Sequence, residues 1–498
     1  MRLILPFLLV VCFISCTKDV EEIPVDTIPD SISVHLDRTK NAIDSFTVNV
    51  NGAWTITPDT PVTWMELSAT AGSGSTRIYA KTLQFNNFST DRTATFVITN
   101  TDNPAEKVNV TITQGKYIFS PWSELFGGAQ WDMMYSVSPT HDGGYIAVGN
   151  TNSSDGDVAQ NNGDTDIWAV KVDAAGNMEW EKTYGGTLGD GATQIVTTAN
   201  GYVIMGYTGW SIGETATPWI VKIDEEGNMI WDKTFEGVEI TAIVAIPSGG
   251  FICSGGKNND AFLLRLDDNG TTSWSKTYGG EKVDRAAGVD VTSDGGFIVV
   301  GNTNYPEIGA IADFISQDIW IFKVDADGNV LWEKKQGGSN AEWAYQVIST
   351  DDGGAIIRSR TESSDIPGYH GDIDILLTKV NVNGNLEWHK AYGTSLYENS
   401  NWLTKVDGGF ILAASSGHIA DGDVTELIGE TDAWVVKVDG SGNIISNQIF
   451  GGPAIDVFMG MAVLNNELIL TGYSMSTTGD FVTNHGSYDA WMSAIAIP

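Results

Sequence analysis

The residues that could do chemistry in this chain are acids, and they recur. An acidic side chain follows each Gly-Gly (or Gly-Thr) pair: Asp132, Asp190, Asp284, Glu342, Glu398 and Asp456. Two carboxylates held roughly 5 to 10 Å apart could cleave a glycosidic bond. That chemistry needs two acids in different environments, whereas these are one acid repeated, so the spacing reads as structural and no enzyme is expected. Two tryptophans flank the repeated acid, Trp131 before Asp132 and Trp343 after Glu342, and a third, Trp210, lies in a loop of its own. An indole offers a flat apolar face for a sugar ring and a carboxylate accepts hydroxyl hydrogen bonds, so Trp131, Asp132, Trp210, Glu342 and Trp343 form the expected ligand-binding set. The acidic pairs Asp155/Asp157 and Asp421/Asp423 have the composition of calcium loops without the ligand run of an EF-hand, so calcium is the one cation the sequence admits and no cofactor is expected. His370 and His485 both open a His-Gly-x-x-Asp string, which points to a turn rather than to a metal. With His418 they lie in long loops. Cys253, in GGFICSG, reads as a buried thiol with no base beside it. No phosphate-cradling loop, Cys/His metal spacing or serine-nucleophile elbow occurs.

These residues sit in a repeated frame. DIWAVKVDAAGNMEWEKTYGG (166–186) is two short strands about an Asp/Gly/Asn turn, and related strings begin at Thr217, Asp260, Asp318, Asp374, Asp432 and, cut short, Asp489. Each is preceded by a turn and an apolar strand such as DGGYIAVG (142–149), and by a further short strand. One repeat is therefore four antiparallel strands, A to D, over about 43 to 58 residues, the pattern of propeller blades. Residues 121–128 are a D strand with no C strand before it, and 489–498 a C strand with no D strand after it. Together they complete a seventh blade, predicting a seven-bladed β-propeller over 120–498 closed by its terminal strands.

Tryptophans at the C-strand position (Trp168, Trp219, Trp320, Trp434, Trp491) and the D-strand position (Trp122, Trp180, Trp231, Trp274, Trp332, Trp388) recur too often to be a local site, and read as packing between blades. Trp402 falls inside an A strand and reads as core. The strand-C cations (Lys171, Lys222, Arg265, Lys323, Lys379, Lys437) read as solvated or paired structural charges. The A–B and C–D turns are short, and the long B–C loops (150–165, 302–317, 359–373, 415–431 and 473–488) share an end with the D–A loops, where binding is expected.

With 27 basic and 63 acidic residues the formal charge is −36, which argues against nucleic acid and against adhesion to anionic lipid. Three cysteines exclude a disulfide framework. Arg2 and the apolar run 3–14 read as a signal peptide (1–15). Phe13-Ile14-Ser15-Cys16 resembles the lipobox of bacterial lipoproteins, which implies lipidation at Cys16. Lys18 with Asp19, Glu21 and Glu22, in a linker 16–30, resembles the export signal of Bacteroidetes surface lipoproteins, though a plain acidic linker reads equally well. Residues 31–116 alternate apolar and polar positions over several short strands. Trp54, Trp64, Gly72, Gly74, Arg92 and the closing Val-Thr-Ile-Thr-Gln114 resemble the BACON domain, which implies an immunoglobulin-like β-sandwich acting as spacer or sugar binder. The later repeats resemble the glycine- and tryptophan-rich propeller repeats of bacterial secreted proteins. The resulting expectation is an all-β, monomeric, non-catalytic protein, lipid-anchored in the outer membrane and exposed at the cell surface. It would bind an extracellular glycan, or alternatively serve as a protein scaffold or adhesin, with a polysaccharide-cleaving enzyme as the further alternative.

Overall fold

The computed structural model describes residues 31–36, 42–83, 91–114, 121–211, 215–305, 317–417, 419–480, 484 and 486–497. Cys16 with the leader, His418 and His485 lie outside them. Among the described residues every regular element is a strand, and no helix is long and apolar enough to cross a membrane. The chain divides into two units, Met1–Tyr117 and Ile118–Pro498.

In the first unit, Ser31–Leu36, Lys107–Gln114, Arg92–Asn100, Ala53–Pro58 and Ala71–Ser73 form one sheet, in that spatial order. Ile43–Val48, Thr76–Thr82 and Met65–Leu67 form a second. Alternate residues of both point into one core, which is why the sequence alternates so regularly. Trp54 is at its centre, and its Nε1 donates to the carbonyl of Gly74 at 3.1 Å. A Cβ on Gly72 would stand 2.4 Å from the Trp54 ring, so the glycine is demanded by close approach. Trp64 packs at the core's edge with the Arg92 guanidinium 4.7 Å over its ring.

Among the described residues, the second unit is a β-propeller of seven four-stranded antiparallel sheets. The first comprises Asp132–Pro139, Tyr145–Thr151, Asp166–Val172 and Met178–Tyr184, strands A to D from the inside out. The seventh takes strands A to C from Asp456–Leu464, Glu467–Ser474 and Asp489–Ala496, and its fourth strand, Trp122–Phe126, from the other end of the unit. That pairing runs from Ala490 opposite Phe126 to Ala494 opposite Trp122. Each A strand touches the next, and the A strand of the seventh sheet touches that of the first, so the sheets close into a ring.

The repeated residues account for the joints. In each C–D turn the first residue caps the turn with its own side chain: Asp173 Oδ1 accepts from the amides of Ala175 and Asn177 at 2.8 and 3.0 Å. Gly176 then takes φ 87°. The D-strand indole of the preceding sheet lies on that turn. Trp122 donates to the Ala174 carbonyl at 3.1 Å, Trp180 to Glu225 at 3.2 Å, Trp231 to Asp268 at 3.2 Å and Trp388 to Gly440 at 3.0 Å. The C-strand indoles are buried, and Trp168 and Trp219 donate to acids on their D strands, Glu181 and Asp232. Three of the strand-C cations are ion-paired, Lys171 with Asp142 and Glu179, Lys323 with Asp294, and Lys379 with Asp352 and Glu387, whereas Lys222 donates to the Thr198 hydroxyl and Arg265 to the Ala326 carbonyl.

Candidate functional site

The D–A and B–C connections gather at one end of the ring, and the repeated acids stand beneath them at the start of the A strands. Asp132 is fully buried. Its Oδ2 accepts from the Gly128 amide and the Ser153 hydroxyl, both at 2.8 Å, and its Oδ1 from Thr151. Glu342 repeats this with the Gly338 amide at 3.0 Å, Thr361 at 2.8 Å and Ser363 at 2.5 Å. Asp456 repeats it with Gly452, Ser474 and Ser476. The acid thus clamps the turn before its own strand to the B–C loop behind it. The Thr/Ser-x-Ser pair that supplies the hydroxyls was present in the sequence as a signal (151/153, 361/363, 474/476), but only the register shows its meaning.

This corrects part of the expected ligand set. Asp132 and Glu342 have no exposed surface and already accept bonds on both oxygens, so neither offers a free acceptor to a ligand. Trp343 is only 6% exposed, and the Arg360 guanidinium covers its ring at 4.1 Å, so it is packing rather than a sugar platform. Trp210 is 48% exposed at the end of Tyr202–Trp210, resting against Gly189. Trp131 is half-buried and bridges to Tyr488, whose ring meets that of Tyr473 edge-on at 5.4 Å. Tyr135, Tyr207 and Tyr473 stand close enough to interact. Burial first, then Tyr207 and Tyr473, push the Tyr135 phenol up to about 12. All are half-buried, so the loop end carries a group of tyrosines, with the Trp131 backbone bridged to Tyr488, that the repeat pattern hid. Trp402 packs against core, as its strand position suggests.

A second acid stands beside the first. Strand C opens with a buried aspartate in sheets one, five, six and seven: Asp166, Asp374, Asp432 and Asp489. Each approaches the next sheet's A-strand acid across the first glycine of the D–A turn. A Cβ on Gly393 would lie 2.3 Å from Glu398 Oε2 and 2.9 Å from Asp374 Oδ1, and one on Gly185 2.2 Å from Asp166 Oδ1 and 2.7 Å from Asp190 Oδ2. Only glycine leaves room there. The Oδ1 atoms of Asp166, Asp374 and Asp432 have no hydrogen-bond partner. Burial pushes Asp374 up to about 6 and Glu398 up to about 7, and raises Asp166, Glu342 and Asp432 in the same direction.

Among the described residues, no three acidic, histidine or cysteine side chains converge on a metal-sized site. The candidate calcium acids face backbone instead: Asp155 accepts from Ala129 N, Asp157 from Gly127 N, Asp421 from Ser395 N and Asp423 from Gly393 N. The His370 amide donates to Asp374 Oδ2 at 2.6 Å, the turn geometry its motif implies, with Nδ1 3.5 Å from the same oxygen. Cys253 is fully buried.

No protein-family model matches the sequence, and no curated protein matches it. Among solved structures, the Pan2 WD40 domain of Neurospora crassa is similar at 10% identity and a TM-score of 0.42, over 73% of this chain and 90% of that one. The Dos1 propeller is similar at 10% identity and 0.43, over 76% and 95%. The phage phi92 endosialidase is similar at 11% and 0.40, over 78% and 71%. Likeness of this degree carries no function across.

Proposed function

We propose that the chain is a lipid-anchored surface protein that presents a non-catalytic, seven-bladed propeller for binding an extracellular glycan. Cys16 is the lipidated residue, residues 31–116 are a BACON-like, immunoglobulin-like spacer, and the seventh blade is the one closed by Trp122–Phe126. The site is anchored by Trp131 and Trp210 on the loop face, without the acids and the Trp343 first paired with them. The observation behind this reading is the half-exposed indole of Trp210 on the same loop end as half-buried Trp131 and the Tyr488–Tyr473 ring pair, amphipathic aromatic groups suited to sugar rings. A non-catalytic role is favoured because the repeated acids spend their oxygens on the loops that cover them.

The test is retention in affinity gels cast with polysaccharides. Trp131→Ala with Trp210→Ala should weaken retention while the melt moves little. Full retention by that double variant moves the reading to a protein scaffold or adhesin. One feature favours that second reading: Ile230, Leu331 and Ile445, at equivalent D-strand positions, are each more than half exposed and line the outer rim.

A further inference from the structure

A ligand site must be local, and the repeat breaks its own rule at sheet three. At sheets one, five and seven the chain after strand B folds over the junction and is fastened by Ser153, Ser363 or Ser476. Sheet three departs from this. Its B strand, Phe251–Lys257, turns into its C strand, Asp260–Leu266, through Asn258 and Asn259 alone, at φ 53° and 71°. Asparagine tolerates this left-handed pair, which makes the tightest hairpin connection. The Gly-Gly or Gly-Thr of the other D–A turns is here Glu236-Gly237, and the C-strand aspartate of sheet two is replaced by Thr217. Among the described residues no loop covers the junction, and a cleft of about 490 Å³ stands on the loop end, beside the sheet that carries Trp210.

Its walls are polar and mixed in sign. Lys257 and Asp260 face each other across the hairpin, both half-exposed. Arg285 reaches over from the next sheet to ion-pair with Glu239, passing Gly256, where a Cβ would sit 3.0 Å from its Nη1. Asn259 lies at the rim, its carbonyl held by the Asp284 amide at 2.7 Å, and half-buried Phe235 forms a small apolar wall. Acids outnumber the two cations, which disfavours an anionic ligand, and the apolar wall is too small for a hydrophobic one. Donors and acceptors set side by side on charged and amide groups suit a ligand whose every polar group both donates and accepts.

From the open junction and this lining we infer that the cleft between sheets two, three and four docks a neutral, hydroxyl-rich saccharide. The inference rests on the loop-face reading and gives that reading its specific subsite. The full chain is run through gels cast with glucomannan, xyloglucan or starch, and through a polygalacturonate gel as the anionic counterpart. The wild type should be retained by at least one neutral gel and passed by polygalacturonate. Lys257→Ala and Asp260→Asn, both at half-exposed positions, should each weaken that retention about tenfold with the melt unchanged, the scale of one lost polar contact. Replacing Asn258-Asn259 with the long loop of sheet one (residues 152–165) should abolish retention by covering the cleft, and its melt checks that the ring survives. Undiminished retention by the point variants overturns the subsite, while the Trp131/Trp210 variant still reports on the face. Preference for polygalacturonate overturns the neutral class, and no retention on any gel overturns both.

Discussion

At the residue scale the informative groups are the paired buried acids. Glu342→Ala should cost roughly 2–3 kcal/mol, because the Gly338 amide and two buried hydroxyls lose their acceptor. A surface ligand acceptor would cost almost nothing, so a urea titration of this one variant separates the two roles. The pair Asp374 and Glu398 makes a pH prediction. Both folded pKa values, about 6 and about 7, lie above the ordinary carboxylate range, so the folded state binds more protons than the unfolded one between about pH 4 and 7. Their stabilisation is complete below the unfolded values and is lost as pH rises through the folded ones. Asp294, held down to about 2 chiefly by Lys323, acts oppositely but only well below pH 4. The melting temperature should therefore be higher at pH 5 than at pH 8. Asp374→Asn, neutral at both, should flatten the difference and stabilise at pH 8 by about 1 kcal/mol. A melt that climbs steadily from pH 5 to 8 would mean these carboxyls are ionised and compensated in some other way. The ring of acids was legible in the sequence because it recurs. What each acid faces was not, since Asp132 could equally have pointed at solvent until the register set Thr151 and Ser153 against it.

At the scale of the element, the joint between sheets is an indole laid on a glycine turn. A Cβ on Gly384 would lie 2.4 Å from the Trp332 ring, at a backbone φ of 74°. Gly384→Ala thus combines a left-handed penalty of about 1 kcal/mol with displacement of a packed indole, and should cost on the order of 3 kcal/mol by chemical denaturation. Gly408→Ala, at φ 81° with nothing near the added methyl, isolates the backbone part and should cost only about 1 kcal/mol. Equal losses would show that the indole contact does not matter. The D-strand tryptophans were readable as packing from repetition alone. Why the sixth sheet has Ser446 instead is visible only in the assembled ring. The seventh sheet takes its outer strand from Trp122–Phe126, so it has no C–D turn for an indole to rest on. The open junction at sheet three escaped the sequence for the same reason: short loops leave no motif, and their consequence is a space.

At the scale of the whole molecule, closure decides stability. The count of seven sheets and the pairing of opposite ends could be read because each terminal fragment lacked what the other supplied. The ring contacts that make closure matter are properties of the assembly. Trp122–Phe126 covers the outer edge of Asp489–Ala496, hydrogen-bonds along it, and lays Trp122 over Gly176 of the first sheet. Removing residues 121–128 exposes that edge and undoes the joint between sheets seven and one at once. An uncovered strand edge is also a template for pairing with another chain. The deletion should lower the melting temperature of the whole propeller and produce concentration-dependent association by light scattering. A gentler variant isolates the pairing itself. Glu124→Pro removes one amide from the ladder opposite Met492 and keeps both Trp122 and Phe126 in the chain. Its loss, about 3 kcal/mol, should appear in the propeller's single transition. A melt unchanged by both variants would mean that the ring holds without its terminal strand.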